Sequence, residues 1–145
     1  MSATADHAEE RTNPAARLGF EPGQVVQEIG YDDDVELELR EAIEAVTGQE
    51  IVDEDYDDVA DVVLLWFRDE DGDLTDVLVD AIGLVDDGGT VWLMTPKTGR
   101  DGYVEPSDIN EAAQTAGLSQ TKSINAGKDW TGSRLVTPKA AKSKR

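Results

Sequence analysis

The sequence predicts an α/β fold: a small, doubly wound sheet, parallel over its first two-thirds and finished by a C-terminal antiparallel hairpin. Three stretches carry that reading. Residues 62–67 (VVLLWF) are six apolar side chains without alternation, the pattern of a strand whose two faces are both covered by helices. Leu74, Val77, Leu78, Ala81, Ile82 and Val85 then recur at helical spacing and form one apolar stripe. Gly88 and Gly89 lead into a second buried strand at 90–94 (TVWLM), which completes a βαβ unit. Further on, two weaker strand signals at 120–125 and 133–137 flank a polar turn at 127–132 (GKDWTG), the arrangement of a hairpin.

Residues 1–17 carry no apolar period and predict a disordered arm. Residues 18–138 form a single α/β domain, and 139–145 a basic, disordered tail. Leu18, Gly19 and Phe20 anchor the domain before the turn Glu21-Pro22-Gly23, and 24–29 (QVVQEI) is a short strand. Asp32, Asp33 and Asp34 crowd the start of the next helix, where the macrodipole favours negative charge. Val35, Leu39, Ala42, Ile43 and Val46 give that helix its apolar face, and Gly48 stands where a C′ glycine belongs. A brief strand at 50–52 is joined to 62–67 by an acidic loop too short for a helix. Asp71 or Asp73 caps the helix of the central unit. Residues 95–103 are a loop containing Pro96, Gly99 and Gly102. Ser107 is expected to cap a helix whose face is Ile109, Ala112, Ala113 and Ala116, ended by Gly117. The order is β-α-β-β-α-β-α-β-β. Ligands of such sheets sit beyond the carboxyl ends of the strands, here 68–73 and 95–104.

A chain of 145 residues fits one domain of ordinary size. It has no cysteine, which excludes disulfides, thiol catalysis and thiolate metal sites. His7 is the one histidine and lies in a polar terminus, so a histidine-based triad or metal site has no material. Residues 1–17 contain no apolar run, and no stretch approaches about 18 apolar residues; a cytoplasmic protein without membrane contact is expected. Residues 1–96 hold 27 acidic and four basic residues, a net −23, whereas 97–145 hold nine basic and five acidic, a net +4. A surface of that sign repels phosphate, so DNA binding by the main body is not expected, whereas docking on a basic protein surface is. General solubility produces the same imbalance.

Four stretches hold residue types suited to chemistry or binding. The element order is Rossmann-like, and its second half resembles a small methyltransferase-like domain. A cofactor signature of closely spaced glycines belongs after the first strand, but that place reads Ile29-Gly30-Tyr31-Asp32-Asp33-Asp34. One glycine followed by three carboxylates opposes a phosphate cradle. Gly30 with Asp53 (or Glu50) as a ribose-binding acid therefore remains the alternative, and no cofactor is the expectation. Asp69-Glu70-Asp71-Gly72-Asp73 suggests a calcium loop, but the spacing fails: counted from Asp69, glycine falls fourth rather than sixth, and Asp80 stands where glutamate is needed. The acids 32–34 are explained by the helix start, so no metal is expected. Lys97 and Arg100 are rare positive charges at a strand end, near Tyr103, and suit an anion or a partner's carboxylates; pairing with Asp101 and Glu105 is the competing reading. Trp66 and Trp92 lie in strand runs and read as core, whereas Trp130, in the polar turn, is either tucked under the hairpin or presented to a partner. Lys139, Lys142, Lys144 and Arg145 lack interleaved aromatics, a weak nucleic-acid signal.

The phrases ADVVLLWFRDEDGDL, WLMTPKTGRDG, EPSDINEAAQTAGL and KDWTGSRLV, with LGFEPGQVVQEIGYDDDV before them, resemble the actinobacterial family called domain of unknown function 3052, over about residues 17–138. The resemblance implies a small cytoplasmic bacterial protein and brings no catalytic residues. It also implies a regulator acting with the transcription machinery in stress responses, with paired cysteines as sensor. This chain has no cysteine, so the thiol switch does not carry over. The expectation is a non-enzymatic regulatory protein whose acidic surface docks on a protein partner such as a sigma factor or RNA polymerase. The alternative is a small-molecule-binding or S-adenosylmethionine-dependent domain.

Overall fold

A computed structural model describes Ala15 and residues 18–137. The elements run β1 (Val26–Ile29), α1 (Leu37–Thr47), β2 (Ala60–Trp66), a short 3-10 turn (Asp69–Asp71), α2 (Leu74–Ile82), β3 (Val85–Pro96), α3 (Pro106–Ala116), β4 (Ser119–Asn125) and β5 (Trp130–Val136). They build one five-stranded sheet of order β1-β2-β3-β5-β4. β1, β2 and β3 are parallel; β5 lies antiparallel between β3 and β4. The α/β class, the parallel first part and the terminal hairpin stand as the sequence predicts.

The uninterrupted apolar run of β2 has its reason in the two cores. Val62, Leu64 and Trp66 face α1, where they pack with Leu39, Ile43, Trp92, Met94 and Trp130. Val63, Leu65 and Phe67 face the other way, onto Leu74, Leu78, Ala81, Ile109 and Ala113 of α2 and α3. After the exposed Asp61, the strand feeds two cores and has no solvent side, hence no polar positions to alternate.

Several boundaries differ from expectation. Ala15 is fully buried in the α1-side core and its carbonyl accepts from Phe20 N, so the domain begins before residue 18. The remainder of the arm, 1–14, 16 and 17, and the tail lie outside the described residues. α1 starts at Leu37, not Val35, and α3 has Pro106 at its first turn with Glu105 as N-cap and no side-chain cap; proline needs no hydrogen-bond partner there, and Ser107 lies inside the helix. Asp73 caps α2, its Oδ1 accepting from Thr75 N at 2.9 Å. β3 begins at Val85, and between its pairings Ala60↔Val85 and Val62↔Thr90 the register shifts, so Gly88 and Gly89 lie in a bulge of the strand. β5 starts at Trp130, which pairs with Pro96, so the turn is shorter than 127–132 and Trp130 belongs to the strand.

The brief strand at 50–52 reduces to one parallel bridge, Gln27↔Val52. Glu28 N donates to Val52 O and Val52 N to Val26 O, whereas Val62 N donates to Val25 O; Val52 therefore lies on the opposite edge of β1 from β2. The chain leaves β1 through α1, reaches this outer edge, and returns past β1 to β2. The direction of winding thus reverses at β1, which accounts for α1 on one face and α2 on the other if both crossovers keep the right hand. Such a reversal opens a crevice at the carboxyl ends of the two strands that diverge from it, the usual ligand position in doubly wound sheets. No helix among the described residues is long and apolar enough to cross a membrane.

Candidate functional site: a crevice latched by Arg68

The crevice at the ends of β1 and β2 is a cavity of about 300 Å³ bordered by Gly30, Tyr31, Glu54, Trp66, Arg68 and Asp71, among others. Gly30 follows β1 with φ +83°, and a Cβ there would collide with the main-chain carbonyl of Trp66. The close approach, together with the left-handed backbone, requires glycine. Gly30 N donates to Glu54 Oε2 at 3.1 Å. Asp53, the acid singled out from the sequence, does not reach the crevice. Its Oδ1 accepts from Asp55 N at 3.0 Å and its carbonyl from Gln27 Nε2 at 3.1 Å. Glu54, one residue on, occupies the position expected of Asp53, because the bridge at Val52 sets which way the loop faces.

Arg68 ties the borders of the crevice together. Its side chain is 9% exposed. Nη1 donates to Gly30 O at 2.9 Å and to Asp71 Oδ2 at 3.3 Å; Nε donates to Asp34 Oδ2 at 3.1 Å and Nη2 to Asp34 Oδ1. The pairing with Asp34 is two-pronged, the geometry a guanidinium fork favours. The guanidinium carbon also lies 5.3 Å from the centroid of the Trp130 ring, a cation–π distance. Trp130 Nε1 in turn donates to Asp34 O at 2.9 Å. Asp34 therefore ties the loop after β1 to the end of β2 through its side chain and to the start of β5 through its main chain. The aspartates 32–34 do not merely decorate a helix start.

Burial pushes the Arg68 guanidinium toward losing its proton, but hydrogen bonds to Asp34 and Asp71 outweigh it and raise its pKa. The same bond, less a desolvation effect, holds the Asp34 carboxyl below its usual range. A carboxyl depressed in the folded state stabilises fully above its unfolded pKa, about 3.9, and loses that contribution as pH falls through the lower folded value. Thermal melts from pH 7 to pH 2 are expected to show Asp34→Asn less stable than the parent near neutrality and the difference shrinking below about pH 4.

A second buried pair supports β1 from behind. Glu28, 5% exposed, accepts from Trp66 Nε1 at 2.8 Å and from Arg40 Nε and Nη2 at 2.7 and 2.9 Å. Arg40 lies 4.9 Å from the Tyr31 ring centroid.

The residues marked in the sequence for anion or partner contact do not converge on one point. Trp130 is 2% exposed and T-stacks on Trp66 at 4.9 Å; of the two readings left open for it, the structure has the tucked one, and its ring is not offered to a partner. Arg100 Nη1 pairs with Asp129 Oδ1 at 3.1 Å, across the loop–hairpin junction rather than with Asp101 or Glu105. Lys97 and Tyr103 border a different cavity, on the α3 side of the sheet. No group of acidic or histidine side chains among the described residues is arranged to hold a metal ion.

A doubly wound sheet with its crevice at the β1 switch point, finished by a hairpin, defines a methyltransferase-like α/β protein. Among solved structures it is similar to the pyocyanin biosynthetic protein PhzM, with a TM-score of 0.63 and 12% identity over 94% of this chain and 55% of that one. Human N-acetylserotonin methyltransferase in complex with SAM gives 0.62 and 13% over 89% and 51%. The chain spans about half the length of those two proteins, and at such identities the likeness is one of fold. The chain belongs to the family described as protein of unknown function (DUF3052), which matches residues 15–139. An uncharacterized protein of Mycobacterium tuberculosis is 52% identical over 141 residues, covering 97% of this chain and 87% of the relative, and one of Mycobacterium bovis matches equally.

Proposed function

We propose that the protein is a non-enzymatic regulatory interaction protein, built on a methyltransferase-like scaffold whose crevice borders are tied together by its own side chains and whose acidic surface docks on a basic protein partner. The carrying observation is Arg68, held across the strand ends by Gly30, Asp34 and Asp71. The cations of the acidic two-thirds support the docking half of the reading. Arg40 and Arg68, the two of those cations among the described residues, are both paired with internal carboxylates. The family resemblance directs the search for the partner to the transcription machinery, a sigma factor or another RNA polymerase subunit, in a stress setting.

Co-purification of the tagged full chain from its host, at low and high salt with mass spectrometry of the bound fraction, tests this. Recovery of one transcription protein that falls away as salt rises is expected, because exposed charges further apart than a Debye length are screened and salt shortens that length. A partner held undiminished at high salt, or a clean bait, contradicts it. The second reading, a small-molecule or S-adenosylmethionine site, is favoured by the crevice at the β1 switch point with Glu54 at its rim. It requires a thermal shift with S-adenosylmethionine, about 2.7 kcal/mol at a hundredfold excess over Kd. The leading proposal expects none.

A further inference from the structure

The cavity that Lys97 and Tyr103 share lies away from the latched crevice, on the face of the sheet covered by α3, and measures about 410 Å³. That volume is within the range of small-molecule sites, about 300–1,000 Å³. Its floor is unusual for a covered sheet face. Val91, Leu93 and Leu135 make that face aliphatic, but beyond Leu93 it changes to hydroxyls. Thr95 pairs with Thr131, and Ser133 lies between Leu93 and Ser123 in the ladder. Directly paired residues share a face, so four hydroxyl-bearing side chains lie side by side. Two of them, Thr95 at 2% and Ser133 at 1%, are buried. The wall is apolar: Val104, Pro106 and Ile109.

The charge is the second observation. In a chain with 32 acidic residues in 145, no carboxylate among the described residues borders this cavity. Each of the four other cavities described is bordered by at least two: Glu21 and Asp61, Glu36 and Glu38, the group of Asp33, Asp34, Asp101 and Asp129, and the group of Asp32, Glu54 and Asp71. Lys97 borders it, half-buried, and forms no ion pair among the described residues. Its nearest cationic neighbour in sequence, Arg100, is already paired with Asp129. An apolar wall, convergent hydroxyls and one unpaired cation, cleared of like-charged competitors for the ligand, form a site for an anion with an apolar body.

We propose that this cavity binds a small hydroxylated organic acid. The carboxylate pairs with the Lys97 ammonium, the body lies against Val104, Pro106 and Ile109 beneath Tyr103, and a polar group at the far end bonds the hydroxyls of Thr95, Thr131 and Ser133. This goes beyond the docking proposal and does not depend on it.

The test is a titration of the full chain, followed by 15N-resolved NMR, with 4-hydroxybenzoate, 4-hydroxyphenylacetate and 3-hydroxybutyrate, each against its neutral amide. At least one acid is expected to saturate, with shifts concentrated at Val104, Ile109, Thr131 and Ser133, and to bind roughly tenfold or more tightly than its amide. Lys97→Met is expected to abolish that preference, while Lys128→Met, outside the cavity, leaves it unchanged. Equal binding of acid and amide, a preference that survives in Lys97→Met, shifts centred elsewhere, or no saturable binding by any of the three acids would overturn the proposal.

Discussion

Gly30→Ala is expected to destabilise the protein by about 4 kcal/mol. An alanine at φ +83° meets the left-handed penalty of about 1–2 kcal/mol. Its methyl group also meets the Trp66 carbonyl, a main-chain atom of the central sheet that cannot rotate away, adding the 1–3 kcal/mol or so of an overpacked core. Gly48→Ala is the matched control: its φ is +77°, and a Cβ there meets nothing within 4 Å, so about 1 kcal/mol is expected. Urea unfolding of the two variants checks this directly. Equal losses would mean that β1 and β2 do not approach as closely at their carboxyl ends as described.

Arg68→Ala is expected to cost about 3 kcal/mol and lower Tm by roughly 10 °C. Asp34 and Asp71 are partly exposed, so water re-solvates their carboxylates and the loss stays toward the low end for a broken buried pair. What water does not restore is the tie between the β1 loop, the β2 end and Trp130. Arg68→Lys keeps the charge but not the fork and is expected to recover less than half of the loss. Differential scanning calorimetry reads the stability. The emission of the tryptophans reports whether Trp130, 2% exposed in the parent, has gained solvent, and an unchanged spectrum in Arg68→Ala would show that the latch does not hold that ring in place.

The central unit was legible because its signals are local and physical: the unalternating run 62–67, the stripe from Leu74 to Ile82, and the small-residue face of α3 each state which sides are covered. The hairpin was legible as a pair of strands but not in its limits. Trp130 in a run of polar residues reads as turn, and only its pairing with Pro96 makes it strand. The latch was not legible. Arg68 and Asp34 are 34 residues apart, and Trp130 and Asp34 are 96 apart, and no periodicity joins such positions. A signal was nonetheless available in the composition. Arg68 is one of four basic residues among the first 96, and it stands immediately after a buried strand, where a long cation has either a partner or no reason to be. Glu54 was missed for Asp53 by one residue, since the facing of that loop depends on a single bridge, Gln27↔Val52. Lys97 and Tyr103 stand out in the sequence, but that they border one cavity, over a floor of hydroxyls set by cross-strand register, was not legible.

The sheet order has a consequence for how the chain is made. β5 is synthesised last of the strands yet is inserted between β3 and β4. Until Trp130–Val136 leave the ribosome, β3 has one edge without a partner, and that edge carries Val91, Trp92, Leu93 and Met94, all buried in the finished protein. The nascent chain thus passes through a stage in which a strand with a four-residue apolar run is an open template for pairing with another chain. A chain that terminated after β4 would remain at that stage, so the final dozen or so described residues decide between a closed domain and an aggregating one.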